Sequence, residues 1–154
     1  MALEIERKFK VANDSWRDSV TRSTSLRQGY VSTNPEATVR VRLENGVGTL
    51  TIKSKTKGIS RNEFEYDIPS SEATQLLRLC EGPLIEKARH RVTIGQHTWE
   101  IDEFIGDNQG LIIAEIELSS KDESFDKPAW LGKEVSDDAR YYNSSLVAHP
   151  FSQW

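Results

Sequence analysis

Cysteine is nearly absent from this chain. Its 154 residues include one, Cys80, so no internal disulfide can form. Cys80 ends the apolar stretch Leu76-Leu77-Arg78-Leu79-Cys80, where a buried structural thiol is favoured over a catalytic one. Long apolar runs are also missing. The longest aliphatic run, Leu111-Ile112-Ile113-Ala114, is far too short to span a bilayer. The first residues, Met-Ala-Leu-Glu-Ile-Glu-Arg-Lys, lack the apolar run of a signal peptide. A soluble cytoplasmic chain with no membrane partner is therefore expected. His90, His97 and His149 are scattered and form no metal-ligand spacing. Gly46, Gly48 and Gly58 belong to turns and make no phosphate loop. Ser15, Ser54 and Ser60 have no evident His/Asp partners, so a serine hydrolase finds no support. Excess basic charge is lacking as well: the net charge is −4. A nucleic-acid partner is not expected from that field, although a local basic pocket for a small anion is compatible with it.

Charge of both signs is abundant: 29% of residues are Asp, Glu, Lys or Arg, against 36% hydrophobic. The length suits one domain, residues 1–154, around one core. Alternating segments predict eight strands, at Leu3–Val11, Ser25–Val31, Ala37–Glu44, Gly48–Lys55, Arg61–Ile68, Ile85–Ile94, His97–Phe104 and Leu111–Leu118. Turn signals such as Glu44-Asn45-Gly46 and Ile94-Gly95-Gln96-His97 separate several of them. Short helices are predicted at Asp14–Thr21 with Asn13 as cap, at Glu72–Cys80 behind Ser70 or Ser71, and at Ser119–Phe125. A last helix is predicted from Ser136 to about Ala148. The predicted class is α+β, with closure of the strands into a barrel as the way to remove unpaired edges.

Residues two apart share a strand face. Glu4, Glu6 and Lys8 therefore lie together, opposite Ile5, Arg7 and Phe9. Arg40 pairs in this way with Arg42, Lys53 with Lys55, and Glu63 with Glu65 and Asp67. Lys87, Arg89 and Arg91 share a face, as do Glu100 with Asp102 and Glu115 with Glu117. Same-sign repeats are unusual on a solvated face, because like charges side by side repel. Spacing alone leaves two arrangements open. One is a charged exterior. The other is a barrel whose charged faces line a polar lumen while its apolar faces pack outward. A buried lumen of this kind needs water, pairing or ligands. Its basic clusters suit phosphate oxygens, and its carboxylates suit hard divalent cations.

The order of these pairs resembles one known family. Glu4-Ile5-Glu6-Arg7-Lys8-Phe9 matches the Glu-x-Glu-x-Lys signature of the CYTH superfamily, the triphosphate tunnel metalloenzymes. Arg40-Val41-Arg42, Lys53, Glu63-Phe64-Glu65, Glu86-Lys87-Ala88-Arg89, Asp102 and Glu115-Ile116-Glu117 follow in the family's order. Trp130-Leu131-Gly132-Lys133-Glu134-Val135 and Arg140-Tyr141-Tyr142-Asn143 are similar to the C-terminal part of short bacterial members. The resemblance implies an eight-stranded antiparallel tunnel with helices outside and a charged lumen. It implies Mg²⁺ or Mn²⁺ dependence and a small triphosphate-containing substrate. It also implies that Lys8, Arg40, Arg42, Lys53, Lys87 and Arg89 hold phosphate, with Arg140 closing the tunnel. Glu4, Glu6, Glu63, Glu65, Asp102, Glu115 and Glu117 would hold metal.

Leu26-Arg27-Gln28-Gly29-Tyr30 is similar to the inorganic triphosphatases of the family, in which Tyr30 would work with Lys8 on the attacking water. Crowded cations are expected to lower the Lys8 pKa. Hydrolysis of inorganic triphosphate is the leading expectation. Adenylate cyclisation, hydrolysis of thiamine or nucleoside triphosphates, and non-catalytic sensing are the alternatives. The family often forms homodimers, but no interface is legible in the residues. Arg61 is left without a role.

Overall fold

A computed structural model describes residues 3–154 of the chain. Its strands are β1 Leu3–Val11, β2 Arg22–Ser32, β3 Ala37–Glu44, β4 Val47–Ser54, β5 Ser60–Ile68, β6 Glu81–Ile94, β7 His97–Phe104 and β8 Ile112–Glu117, with a short β9 at Leu131–Glu134. Every pairing is antiparallel. The order β5-β4-β3-β2-β6-β7-β8-β1 returns on itself through β5–β1, which closes an eight-stranded barrel. That last seam is short: Leu3, Glu4 and Ile5 lie opposite Asn62, Arg61 and Ser60. The short β9 adds to the edge of β1 through Phe9 and Val11.

The strands follow the alternation in the sequence, and the turns follow its chemistry. Between β3 and β4, Asn45 and Gly46 have φ of 49° and 82°. Two positive φ values are what a two-residue hairpin of matching twist requires, and Asn-Gly supplies them cheaply.

The apolar strand faces point outward. Ile5, Phe9, Val92, Trp99, Ile101, Ala114 and Ile116 pack beneath Trp16 and the segment holding Leu118 and Trp130. Val41 packs beneath Ala73 and Leu77 of helix α1, Ser70–Leu77. Leu146 and Val147 of helix α2, Asn143–Ala148, cover Ile85, Phe104 and Ile113. No helix among the described residues is long and apolar enough to cross a membrane.

The helices differ from expectation more than the strands do. Residues Ser15–Ser19 form only a 3-10 turn, with the Asn13 side chain accepting from Ser15 N at 2.9 Å. Helix α1 starts behind Pro69 with no side-chain cap and ends at Leu77, short of Cys80. The helix predicted at Ser119–Phe125 is absent. Glu123 instead accepts from Ser119 N and meets His97, while Phe125 packs edge-on against Phe9 and Trp99. Those tertiary anchors outweigh a weak local helix preference. The last helix is broken. Asp138 caps a 3-10 turn at Ala139–Tyr141, and Tyr142 is extended at ψ 134°, so α2 begins only at Asn143.

Candidate active site

The strand faces that carry like charges surround one cavity of about 390 Å³. Strand β1 contributes Glu4, Glu6 and Lys8, β3 contributes Arg40, Arg42 and Glu44, and β4 contributes Lys53. Arg61, Glu63 and Glu65 come from β5, Lys87, Arg89 and Arg91 from β6, Glu100 from β7, and Glu115 and Glu117 from β8. Each set has the two-residue period of a strand, so one face of each strand delivers its whole set inward. Tyr30 of β2 and the start of α2, with Tyr142 and Asn143, complete the wall.

The two signs are not evenly matched across this space. On the β1–β5 side, Lys53 Nζ lies 3.0 Å from Glu4 and 3.3 Å from Glu63. Arg61 Nε lies 3.2 Å from Glu4. Burial works against Glu4 ionising, but Lys53, a hydrogen bond with Glu63 and Arg61 together bring its pKa down to about 2. Glu63 goes the other way, up to about 7, through burial and the adjacent Glu4 charge. Glu6 and Glu115 repeat the arrangement, with Lys8 Nζ at 3.3 and 3.4 Å from them. Burial and Glu6 raise Glu115. Burial, Glu4 and Glu6 raise Glu117, which lies opposite Glu6 across the β1–β8 pair. This wall thus carries more carboxylate than its cations neutralise.

The opposite wall carries surplus positive charge. Arg40 is 8% exposed, its Nη2 donates to Thr51 Oγ1 at 3.2 Å, and its Nε has no partner among the described residues. Arg42 reaches a carboxylate only at 3.9 Å, from Glu44. Burial, then Arg40 and Arg89, pull Arg42 down to about 10. A buried and a part-buried guanidinium with so little counter-charge make a site for an anion.

Two expected site residues sit elsewhere. Asp102 does not line the cavity and is fully buried behind it. It accepts a bidentate pair from Arg89 at 2.8 and 2.9 Å and stands 2.7 Å from Lys87 Nζ. Both Asp102 oxygens are engaged by the Arg89 and Lys87 cations, away from the cavity. Arg140 is on the outside, 2.8 Å from Asp138 and stacked over Trp154, and does not line the cavity. The break at Tyr142 turns Asn143 inward in its place. The expected lowering of Lys8 is also overturned. Burial does oppose its charge, but Glu115 and Glu6 outweigh burial and raise its pKa.

The CYTH domain family matches residues 2–147. The chain belongs to the CYTH family. Over 155 aligned residues, 47% are identical to an inorganic triphosphatase of Acetivibrio thermocellus, covering 100% of this chain and 99% of that protein. An inorganic triphosphatase of Nitrosomonas europaea is 36% identical, covering 94% and 96%. A crystal structure of an inorganic triphosphatase superposes with a TM-score of 0.68 at 33% identity, over 94% of this chain and 97% of that one.

In this CYTH barrel the acidic wall fits a hard divalent cation by its donor chemistry. Among the described residues, no three carboxylate, imidazole or thiol groups already form a complete cage. Mg²⁺-type ions do not require one, since they commonly take one or two carboxylates and complete their shell with water and phosphate oxygens. Of the carboxylates expected to hold it, Glu4, Glu6, Glu63, Glu65, Glu115 and Glu117 face this cavity and could do so.

Several further residues line the cavity or support its wall. Arg91, Glu44 and Glu100 obey the two-residue period of Arg89, Arg42 and Asp102, and that period was the available signal. Arg61 shares the two-residue period of Glu63 and Glu65, and the β5–β1 seam, which no local pattern announces, sets it opposite Glu4. Gln28 is fully buried, accepts from Arg42 Nε at 3.4 Å and donates to Asn143 Oδ1 at 3.1 Å. Asn143 also accepts from Lys87 Nζ at 2.9 Å.

Proposed function

We propose that this chain, as one domain over residues 1–154, is a metal-dependent inorganic triphosphatase of the cytoplasm that yields diphosphate and phosphate. The observation that carries the reading is the polarised cavity. Arg40 lies buried and Arg42 part-buried with little counter-charge on one wall, and the Glu6, Glu115 and Glu117 carboxylates are in surplus on the other. A linear polyphosphate chelated to Mg²⁺ or Mn²⁺ neutralises both walls at once. The names of the relatives point the same way.

In this reading Arg40, Arg42, Lys53, Lys87 and Arg89 bind phosphate oxygens, and Arg89 is oriented by Asp102. The cation, when bound, neutralises phosphate charge and polarises the phosphorus for in-line attack. Lys8, held protonated beside Glu6 and Glu115 in the substrate-free state, is not the base there and is suited to donate to phosphate or water once substrate is bound. Tyr30 lines the cavity from the β2 wall and would orient the attacking water together with Lys8. The cavity lining is polar or charged apart from Ile59 and Gly58, with no apolar slot for adenine. That favours inorganic triphosphate over cyclisation of ATP.

A panel of inorganic triphosphate, ATP and thiamine triphosphate with Mg²⁺ and with Mn²⁺ tests the proposal. Fastest turnover of inorganic triphosphate is expected. Cyclic AMP from ATP as the main product, or binding of triphosphate with no turnover under either metal, would overturn it. In the same assay Tyr30→Phe with unchanged kcat would remove Tyr30 from the chemistry.

A further inference from the structure

Strand β3 points three charged residues inward in sequence: Arg40, Arg42 and then Glu44. The strand rise of ~3.3 Å per residue puts Glu44 about 13 Å beyond Arg40 along the wall. An acid at the end of a cation file is out of place in an anion site, and it is firmly held. Glu44 Oε2 accepts from Thr24 Oγ1 at 2.6 Å and from Arg91 Nη2 at 3.0 Å, and Arg42 stands 3.9 Å away. Burial opposes its charge, yet these hydrogen bonds and Arg42 keep its pKa below the ordinary value, so it stays anionic.

A second observation concerns what lies behind it. Beyond Glu44, at the β3–β4 hairpin, a smaller cavity of about 230 Å³ is lined by Arg22, Asn45, Val47 and Thr49. It shares Glu44 and Arg91 with the main cavity. The Glu44–Arg91 pair is thus the partition between the two spaces. Arg22 and Arg91 are direct cross-strand partners on β2 and β6. Like charges so placed repel unless an anion lies between them. Glu44 at 3.0 Å and Glu100 at 3.5 Å screen Arg91, whereas Arg22 on the rim of the outer chamber has no ion-pair partner among the described residues.

We propose that the Glu44–Arg91 pair is a gate between the triphosphate cavity and an outer subsite at Arg22, and that it sets how readily phosphate chains longer than three units are accepted. A fourth phosphoryl group placed beyond Arg42 meets the Glu44 carboxylate first, and is repelled. Past it, Arg22 attracts the same group, while Arg91 stays against Glu100 at 3.5 Å. Glu44 and Arg22 are therefore specificity-determining residues acting in opposite directions. This proposal rests on the triphosphatase reading.

The test compares kcat/KM for inorganic tetraphosphate and inorganic triphosphate with Mg²⁺ in the wild type and two variants. Glu44→Gln keeps size and removes charge, and should raise the tetraphosphate-to-triphosphate ratio at least fivefold. Arg22→Glu, on an exposed residue, should lower the same ratio at least threefold. A merely structural contribution would lower both rates together and leave the ratio where it was. Ratios within twofold of wild type in either folded variant would overturn the gate, and Arg22→Glu decides alone if Glu44→Gln does not fold. Wild-type protein that turns over neither substrate would sink the triphosphatase reading itself, an outcome distinct from active enzyme with unmoved ratios.

Discussion

Arg40 shows how a single side chain can be arranged for a ligand at the expense of the empty protein. Its guanidinium is buried, its Nε is unpartnered among the described residues, and Thr51 is its hydrogen-bond acceptor. Arg40→Met should therefore cut kcat/KM for triphosphate by about 10²–10³-fold, the range for removing one preorganised charge donor. The ligand-free variant should melt no lower than the wild type, because an uncompensated buried charge has been replaced by an apolar chain. A lower melting temperature by calorimetry would mean that Arg40 has a counter-charge after all. Asp102 is the opposite case. Removing its charge with Asp102→Asn strands Lys87 and Arg89 and should cost roughly 3–5 kcal/mol near neutral pH. Its folded pKa is strongly depressed, chiefly by Arg89 and Lys87 acting against burial. The stability it contributes is present above the unfolded value of ~3.9 and is lost as pH falls toward the folded value. Urea titrations of wild type and variant should then differ by a constant amount near neutrality and begin to converge only below about pH 4. Parallel curves would show that Asp102 does not carry that term.

At the scale of elements, β2 carries a tight packing constraint. A Cβ on Gly29 would lie 2.7 Å from both Cys80 Sγ and Leu84 Cδ2. Gly29→Ala should destabilise by about 1–3 kcal/mol through overpacking. The cost should shrink in a Cys80→Ala background, and a double-mutant cycle by chemical denaturation reads that coupling directly. A cycle with no coupling would place the strain elsewhere. This contact crosses from β2 to the chain after α1 and is invisible in the sequence, as is the reach of Arg61 to Glu4. The strands were legible because they repeat a two-residue period over several residues, and β3 and β7 fall within the predicted bounds. Strand β2 begins at Arg22 and β6 at Glu81, earlier than expected, because Arg22-Ser23-Thr24 and Glu81-Gly82-Pro83 offer no alternation and are paired by their neighbours. The charged cavity residues share that legible period, whereas Asp102 obeys it and still lies behind the wall. Parity fixes a face but not the depth at which neighbouring Lys87 and Arg89 intercept a carboxylate. The last helix failed for the same reason. Asp138 binds Arg140 and the chain extends at Tyr142, so the residue delivered inward is Asn143.

For the whole molecule, the separation of charge across the barrel couples folding, protons and metal. Glu63 is raised to about 7, and Glu115 and Glu117 are raised as well, each by burial first and then by neighbouring carboxylates. A carboxyl whose folded pKa exceeds its unfolded value of ~4.3 holds a proton in the native state that the unfolded chain has released. Between about pH 5 and pH 8 the native state therefore binds more protons than the unfolded state, and stability falls as pH rises through that window. Glu4 acts with the opposite sign, but its folded pKa of about 2 confines its effect to more acidic solution. The ligand-free protein should accordingly melt higher at pH 5.5 than at pH 8. Metal binding needs the deprotonated carboxylates, so it should release protons on binding and weaken as pH drops toward 6. With Mn²⁺ or Mg²⁺ and a non-hydrolysed triphosphate analogue present, the order should reverse, pH 8 giving the higher melting temperature. Calorimetric titration of the metal in buffers of different ionisation enthalpy would count the protons released. A buffer-independent heat, together with a melting temperature that rises from pH 5.5 to 8 without metal, would show that the acidic wall does not carry the surplus negative charge on which the metal-phosphate reading depends.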